Sequence, residues 1–159
     1  MNQSQRFSEN ESDKGVPPTL AVIVVNFRTP VLTVQCLETL ASERDAVPSL
    51  EVIVVENDSG DESATFIEAA IEKNRWGDWA KLVESGENLG FAGGNNLGLN
   101  MAQGEYIFYL NNDTEILADT IMKLVARLRD NNTIGAVSPK IRYFFNPKLI
   151  QYAGSTKIN

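Results

Sequence analysis

The sequence predicts an α/β domain, a mostly parallel central sheet with helices on both faces. Three observations predict it. Apolar runs alternate with stretches of helical periodicity in the order β-α-β-α-β-α-β-α, the pattern of parallel strands joined by crossover helices. Three of the apolar runs stop abruptly in Asn, Asp or Glu, and ligands of open α/β sheets bind at the carboxyl ends of strands. The 159 residues suffice for one such core and are short for two.

Residues 1–18 are polar, rich in Ser, Glu and Asn, and end in Val16-Pro17-Pro18. Such a segment buries too little apolar surface to order itself, so it is expected to be a loose tail before a domain over residues 19–159. The first strand is Leu20 to Val25 (LAVIVV), which stops at Asn26-Phe27-Arg28. Thr29 is a suitable helix N-cap with Pro30 at the first helical position. The helix that follows carries Val34, Leu37, Leu40 and Ala41 on one face. Pro48 breaks the chain before the second strand, Glu51 to Val55.

The second strand ends in Glu56-Asn57-Asp58-Ser59-Gly60-Asp61, and a helix is expected from about Glu62 to Lys73 with Phe66, Ile67, Ala70 and Ile71 inward. Trp76 and Trp79 read as a plug at its end. A short strand at Leu82-Val83 precedes the loop Gly86 to Gly94 (GENLGFAGG), and a third helix is expected to begin near Asn95. Tyr106 to Thr114 (YIFYLNNDT) reads as a strand buried on both faces that ends in Asn111, Asn112 and Asp113. Leu117, Ile121, Leu124, Val125 and Leu128 form the clearest helical stripe, and short strands are expected at Ala136–Ser138 and Ile141–Phe145.

Composition narrows the chemistry. The net charge is −7, from 14 basic and 21 acidic residues. No basic patch stands out, which argues against nucleic acid as a partner because phosphate neutralisation needs clustered Lys and Arg. The chain has no histidine, which removes Ser-His-Asp triads and histidine-ligated zinc. Its single cysteine, Cys36, reads as a small buried apolar group. The N-terminus lacks a signal-peptide pattern and no apolar run approaches the length of a membrane span, so a cytoplasmic location is expected.

Each polar strand end has two readings. Glu56 to Asp61 is either a plain turn or a set of side chains for a nucleobase or ribose; an asparagine offers a donor and an acceptor side by side. Asn88 to Gly98 (NLGFAGGNNLG) is either a glycine-rich connector with asparagine caps or a backbone cradle for an anion. Three asparagines and four glycines in eleven residues favour the cradle, although neither a Walker A loop nor a dinucleotide fingerprint is present. Asn112-Asp113 is either an N-cap pair for the helix that follows or a metal site, with one carboxylate reaching a divalent ion otherwise held by a diphosphate and waters. Arg28, Lys140 and Arg142 are surface charges or phosphate partners.

Four motifs, VIVVNFR, VVENDSGD, ENLGFAGGNNLG and YLNNDTEI, in this order resemble the nucleotide-sugar half of the family-2 glycosyltransferases over roughly residues 20–157. The loop and the LNNDT variant are similar to the branch with rhamnosyltransferases and related polysaccharide-assembly enzymes. The resemblance implies the Rossmann-like GT-A fold, here incomplete at the C-terminus. It implies binding of a dTDP- or UDP-linked sugar with Mg²⁺ or Mn²⁺, for inverting transfer to a saccharide or lipid-linked acceptor at the cell surface. Nucleotide contacts are implied at Val25, Asn26, Arg28, Glu56, Asn57, Asp58, Asn88, Gly90, Phe91, Asn95 and Asn112, and metal ligation at Asp113. The family's acidic base lies beyond the point corresponding to Asn159, so the resemblance assigns no catalytic residue within the chain. The implied protein binds donor and is inactive alone, with peripheral association at the inner face of the membrane expected of a full enzyme.

Three other readings compete. A sugar-phosphate nucleotidyltransferase wants a long basic glycine-rich loop after the first strand, and NFRTP is too short. A phospho-receiver domain wants acidic residues where Asn26 and Ser85 stand. A non-catalytic nucleotide-sugar-binding or assembly module that lacks the base remains as the alternative.

Overall fold

The computed structural model describes residues 20–47 and 49–154. The expected polar tail over residues 1–18, the break at Pro48 and residues 155–159 lie outside the described residues. The elements are β1 (Leu20–Asn26), α1 (Pro30–Glu43), β2 (Leu50–Glu56), α2 (Ser63–Lys73), β3 (Ala80–Glu84), α3 (Gly90–Met101), β4 (Tyr106–Asn111), α4 (Thr120–Arg129), β5 (Ile141–Tyr143) and β6 (Asn146–Tyr152). The first four strands form one sheet in the order β3-β2-β1-β4, and every pairing in it is parallel.

The period-2 alternation of a strand explains the layering. Val22 pairs with Val52 and Phe108, and Val24 with Val54 and Leu110. These residues share one face and form a single core with Cys36, Leu37 and Leu40 of α1, Ile67 and Ile71 of α2, and Ile121 and Val125 of α4. Ile23 and Val25 point to the other face, where α3 lies. Val22, Ile23, Val24, Val52, Val54 and Val55 are fully buried, and each such side chain stabilises the fold by about 1.5–3 kcal/mol relative to exposure. The parallel register aligns the carboxyl ends of β1, β2 and β4 along one rim.

Helix α3 begins at Gly90, five residues before the expected start near Asn95. Glycine opposes helix in isolation, but here it permits close packing. A Cβ on Gly98 would lie 2.5 Å from Ile23 Cγ2, and one on Gly94 2.9 Å from Val25 Cγ1. Tertiary contact therefore overrides propensity.

Four further expectations are corrected. Strand β4 is an edge of the described sheet rather than buried on both faces: Tyr106, Ile107 and Phe108 are half-buried and Tyr109 is exposed. Helix α4 starts at Thr120 after Asp119 in the left-handed region (φ 61°), so Asn112-Asp113 is not its cap and Leu117 is exposed. Phe66 is exposed on α2, whose buried residues are Ser63, Ile67 and Ile71. Ala136–Ser138 is not a strand; instead β5 and β6 pair as an antiparallel hairpin. Trp76 and Trp79 are buried with ring centroids 5.6 Å apart, as the expected plug. Among the described residues, no helix is long and apolar enough to cross a membrane.

Candidate functional site

The three aligned strand ends and the start of α3 enclose a cleft of about 560 Å³, lined by Val25, Phe27, Thr29, Asn57, Asn88, Gly90, Phe91, Asn111, Asn112 and Asp113. This is within the ordinary size range for a small-molecule site. The first strand contributes Val25, then a sharp turn in which Arg28 adopts φ 59°. That turn leaves Phe27 on the wall while the Arg28 guanidinium stacks 4.9 Å above the Phe27 ring. The Arg28 amide donates to Ser59 Oγ and its Nε to the Ser59 carbonyl, both at 2.9 Å. Arg28 thus ties two strand ends together and does not line the cleft.

The end of β2 is organised by Glu56. Its carboxylate accepts the Asp58 amide at 3.1 Å, the Ser59 amide at 3.0 Å and the Ser59 hydroxyl. This holds Asp58 at φ 56°, a left-handed conformation that is uncommon for a residue with a side chain. Glu56 is buried and Asp58 exposed, and neither lines the cleft. Asn57 does, and its amide is committed to the loop opposite. Nδ2 donates to Asn88 Oδ1 at 3.2 Å and to the Gly90 carbonyl at 3.4 Å, and Oδ1 accepts the Leu89 amide at 3.1 Å.

Asn88 in turn accepts the Gly90 amide at 2.9 Å, and Gly90 sits at φ 69°. The first residues of α3, Gly90 and Phe91, therefore face the cleft, so the positive end of the helix dipole is at its wall. Asn95 lies one turn along, where its Nδ2 donates to the Phe91 carbonyl at 2.9 Å, away from the wall. Of the residues singled out in the sequence, Val25, Asn57, Asn88, Gly90, Phe91, Asn112 and Asp113 come together at the cleft. Asn26, Arg28, Glu56, Asp58 and Asn95 do not line it: Asn26, Glu56 and Asn95 are buried, Arg28 is bonded to Ser59, and Asp58 is exposed.

Asn111-Asn112-Asp113 forms the third wall as a turn closed by the Thr114 amide on the Asn111 carbonyl at 3.1 Å. Asn112 Nδ2 donates to Thr29 Oγ1 at 2.7 Å and Thr33 Oγ1 at 2.9 Å. Asp113 is exposed, lines the cleft and makes no hydrogen bond or ion pair among the described residues. Phe27 and Thr29 are lining residues to which the sequence assigned no ligand contact, and Asn111, noted at the strand end with Asn112 and Asp113, lines the cleft as well. Thr29 carried the signal of an N-cap, and in the structure its hydroxyl accepts from Asn112 instead of capping α1.

The electrostatics are simple. Among the described residues, the lining set contains one carboxylate and no lysine or arginine; Lys140 and Arg142 lie elsewhere. Burial, and secondarily the charge of Asp113, push the Cys36 thiol up to about 12. Among the described residues, no group of three or more His, Cys, Asp or Glu side chains could hold a metal by itself. A single exposed carboxylate fits a hard divalent ion that keeps water and takes phosphate oxygens as further ligands. It does not fit a metal held by protein side chains alone.

The family model described as Glycosyl transferase family 2 matches residues 21–156. A Haemophilus influenzae protein named an uncharacterized glycosyltransferase is 28% identical over 120 residues, which is 74% of this chain and 45% of that protein. A second protein of that organism, named only as uncharacterized, is 28% identical over 105 residues, 65% of this chain and 56% of its own length. The chain thus spans about half the length of the curated relatives it matches. Among solved structures, mannosyltransferase PcManGT from Pyrobaculum calidifontis, in complex with GDP-Man and Mn2+, superposes with a TM-score of 0.72 at 28% identity, over 81% of this chain and 37% of that one. S. aureus TarS has the same fold, with a TM-score of 0.60 at 24% identity over 72% of this chain and 33% of its own.

Proposed function

For a chain that belongs to glycosyl transferase family 2, we propose that the cleft is the donor site of a sugar transferase. It takes a nucleoside-diphospho-sugar, dTDP- or UDP-linked, with Mg²⁺ or Mn²⁺ at Asp113. The observation that carries this reading is the convergence of three strand ends and the α3 N-terminus on one cleft, with Asp113 its single charged side chain among the described residues. A diphosphate entering that cleft finds no cationic side chain on the wall among the described residues, so its counter-charge comes from the helix end and from a cation bound with it. The Mn2+ and GDP-Man in the mannosyltransferase neighbour support this class of ligand.

The residues divide the work by chemistry. Phe27 and Phe91 offer aromatic faces for a base or sugar, and Asn57 and Asn88 fix the loop between them. Asn112 holds the turn that presents Asp113. When bound, the divalent ion neutralises charge developing on the departing diphosphate. The transfer is inverting, to a saccharide or lipid-linked acceptor, in rhamnosyltransferase-like polysaccharide assembly near the inner membrane face. The base that deprotonates the acceptor hydroxyl is assigned to no residue of the cleft, since Asp113 is its only carboxylate among the described residues. That same observation favours the second reading, a module that binds donor without transferring it.

Thermal unfolding with UDP, dTDP or GDP and Mn²⁺ tests the donor site. Ligand at about a hundredfold over its dissociation constant stabilises by about 2.7 kcal/mol, a rise of roughly 5–10 °C for a domain of this size. No rise with any of the three at millimolar concentration would overturn the reading.

A further inference from the structure

We infer that Asn26 and Thr33, neither of which lines the cleft, are positioning residues that hold the Asn111–Asp113 turn in register with the end of β2. The inference rests on the donor-site reading for its functional meaning. Asn26 and Thr33 are fully buried, and Ser59 and Glu56 nearly so. Buried polar groups of this kind cost free energy unless each finds a partner.

Besides backbone partners (the Thr29 carbonyl 3.3 Å from the Thr33 hydroxyl, and the amides that Ser59 Oγ and Glu56 accept), these side chains bond to one another in one direction. Asn112 Nδ2 donates to Thr33 Oγ1 at 2.9 Å, and the Thr33 hydroxyl donates to Asn26 Oδ1 at 2.9 Å. Asn26 Nδ2 then donates to Ser59 Oγ at 3.4 Å, and that hydroxyl donates to the Glu56 carboxylate. The chain begins beside Asp113 and ends beside Asn57, two residues on opposite walls of the cleft. Each member is both donor and acceptor except the two ends, so the bonds polarise one another and the terminal charge anchors the set.

Apolar residues of the same shape would pack beneath these strand ends as well. They would leave the Asn112 amide with Thr29 alone, on a half-buried threonine at the start of α1. Thr33 is the pivot, since its hydroxyl both accepts from the turn and donates toward β1. A methyl group in its place can do neither.

The test compares Thr33→Val, which removes the hydroxyl, with Thr33→Ser, which keeps it. Thr33→Ala replaces the valine variant if that one does not fold. The first readout is hydrogen exchange at the Thr114 amide, which closes the turn on Asn111 and needs no ligand. The second is the gain in affinity for UDP, dTDP or GDP that Mn²⁺ confers over EDTA. Thr33→Val is expected to speed Thr114 exchange about tenfold relative to the β1–β2 ladder. It should reduce the Mn²⁺-dependent gain by a similar factor, and Thr33→Ser should restore both. Unchanged Thr114 exchange, uniform acceleration across the sheet, or an intact Mn²⁺ gain on a loosened turn would overturn the inference. A wild-type protein that binds none of the three nucleotides would overturn the donor-site reading instead, while the exchange data still decide whether Thr33 holds the turn.

Discussion

Asn57 reaches across 31 residues of sequence to Asn88, with its Nδ2 3.2 Å from the Asn88 side-chain oxygen. The same side chain accepts the Leu89 amide, so one buried asparagine at a strand end fixes the shape of a loop that would otherwise be free. The cleft depends on this pairing, because the loop is one of its walls.

Asn57→Ala should therefore weaken binding of the preferred nucleoside diphosphate about 10- to 30-fold, the cost of one or two lost buried hydrogen bonds. Asn57→Asp keeps the acceptor for Leu89 but sets a charged oxygen against the Asn88 and Gly90 oxygens, and should weaken binding at least as much. Calorimetric titration gives the affinities. Faster hydrogen exchange at the Leu89 amide in the alanine variant would show that the loop is what moved.

Helix α3 lies on the sheet through glycines, which makes a packing prediction. Gly98→Ala drives a Cβ into Ile23 and should destabilise by about 1–3 kcal/mol. Adding Ile23→Leu, which lacks the Cγ2 branch that the new Cβ meets, should recover part of that loss, as a double-mutant cycle in urea would show. Gly94→Ala meets Val25, a lining residue, and should lower nucleotide affinity as well as stability.

The buried Cys36 thiol sets a pH dependence. Its ordinary value near 9 is raised to about 12 in the fold, by burial first and the Asp113 charge second. Between those values the folded chain binds a proton that the unfolded chain has released. The contribution to stability is thus complete below pH 9 and is lost as pH rises toward 12. Urea titrations from pH 8 to 11 should show wild-type stability falling more steeply than that of Cys36→Ala. Parallel curves would place the thiol in contact with solvent.

Glu43 joins α1 to the start of α4. It is buried, and its Oε1 accepts the Asp119 amide at 3.1 Å, at the residue whose left-handed backbone begins α4. Glu43→Ala should cost about 1–3 kcal/mol and Glu43→Gln, which keeps the acceptor, appreciably less. Equal losses for the two would mean that the contact is packing and not a hydrogen bond.

The sheet was legible because its strands are long β-branched runs, LAVIVV and EVIVV, whose burial leaves no alternative period. The location of the site was legible because such runs have no packing reason to end in amides and carboxylates. The direction in which those polar residues turn was not. Asn26 and Glu56 have the same local sequence signature as Asn57 and Asn112, yet two brace the turns and two reach the wall. For Asn26 and Asn57 that division is decided by contacts 30 or more residues away, to Ser59 and Asn88, whereas Glu56 turns back onto the Asp58 and Ser59 amides beside it. The start of α3 was hidden for a similar reason, since glycine opposes helix locally and favours it only once Ile23 and Val25 lie beneath. The β5–β6 hairpin is built from exposed residues, so no buried periodicity announced its second strand.

In the proposed donor site, Asp113 brings a divalent ion to the diphosphate of the donor. Titration of wild type and Asp113→Asn with UDP, dTDP or GDP, in Mn²⁺ and in EDTA, tests it most directly. Mn²⁺ is expected to tighten wild-type binding at least about tenfold, and Asp113→Asn to abolish this gain while leaving metal-free affinity within about twofold. A full Mn²⁺ gain in Asp113→Asn would contradict it.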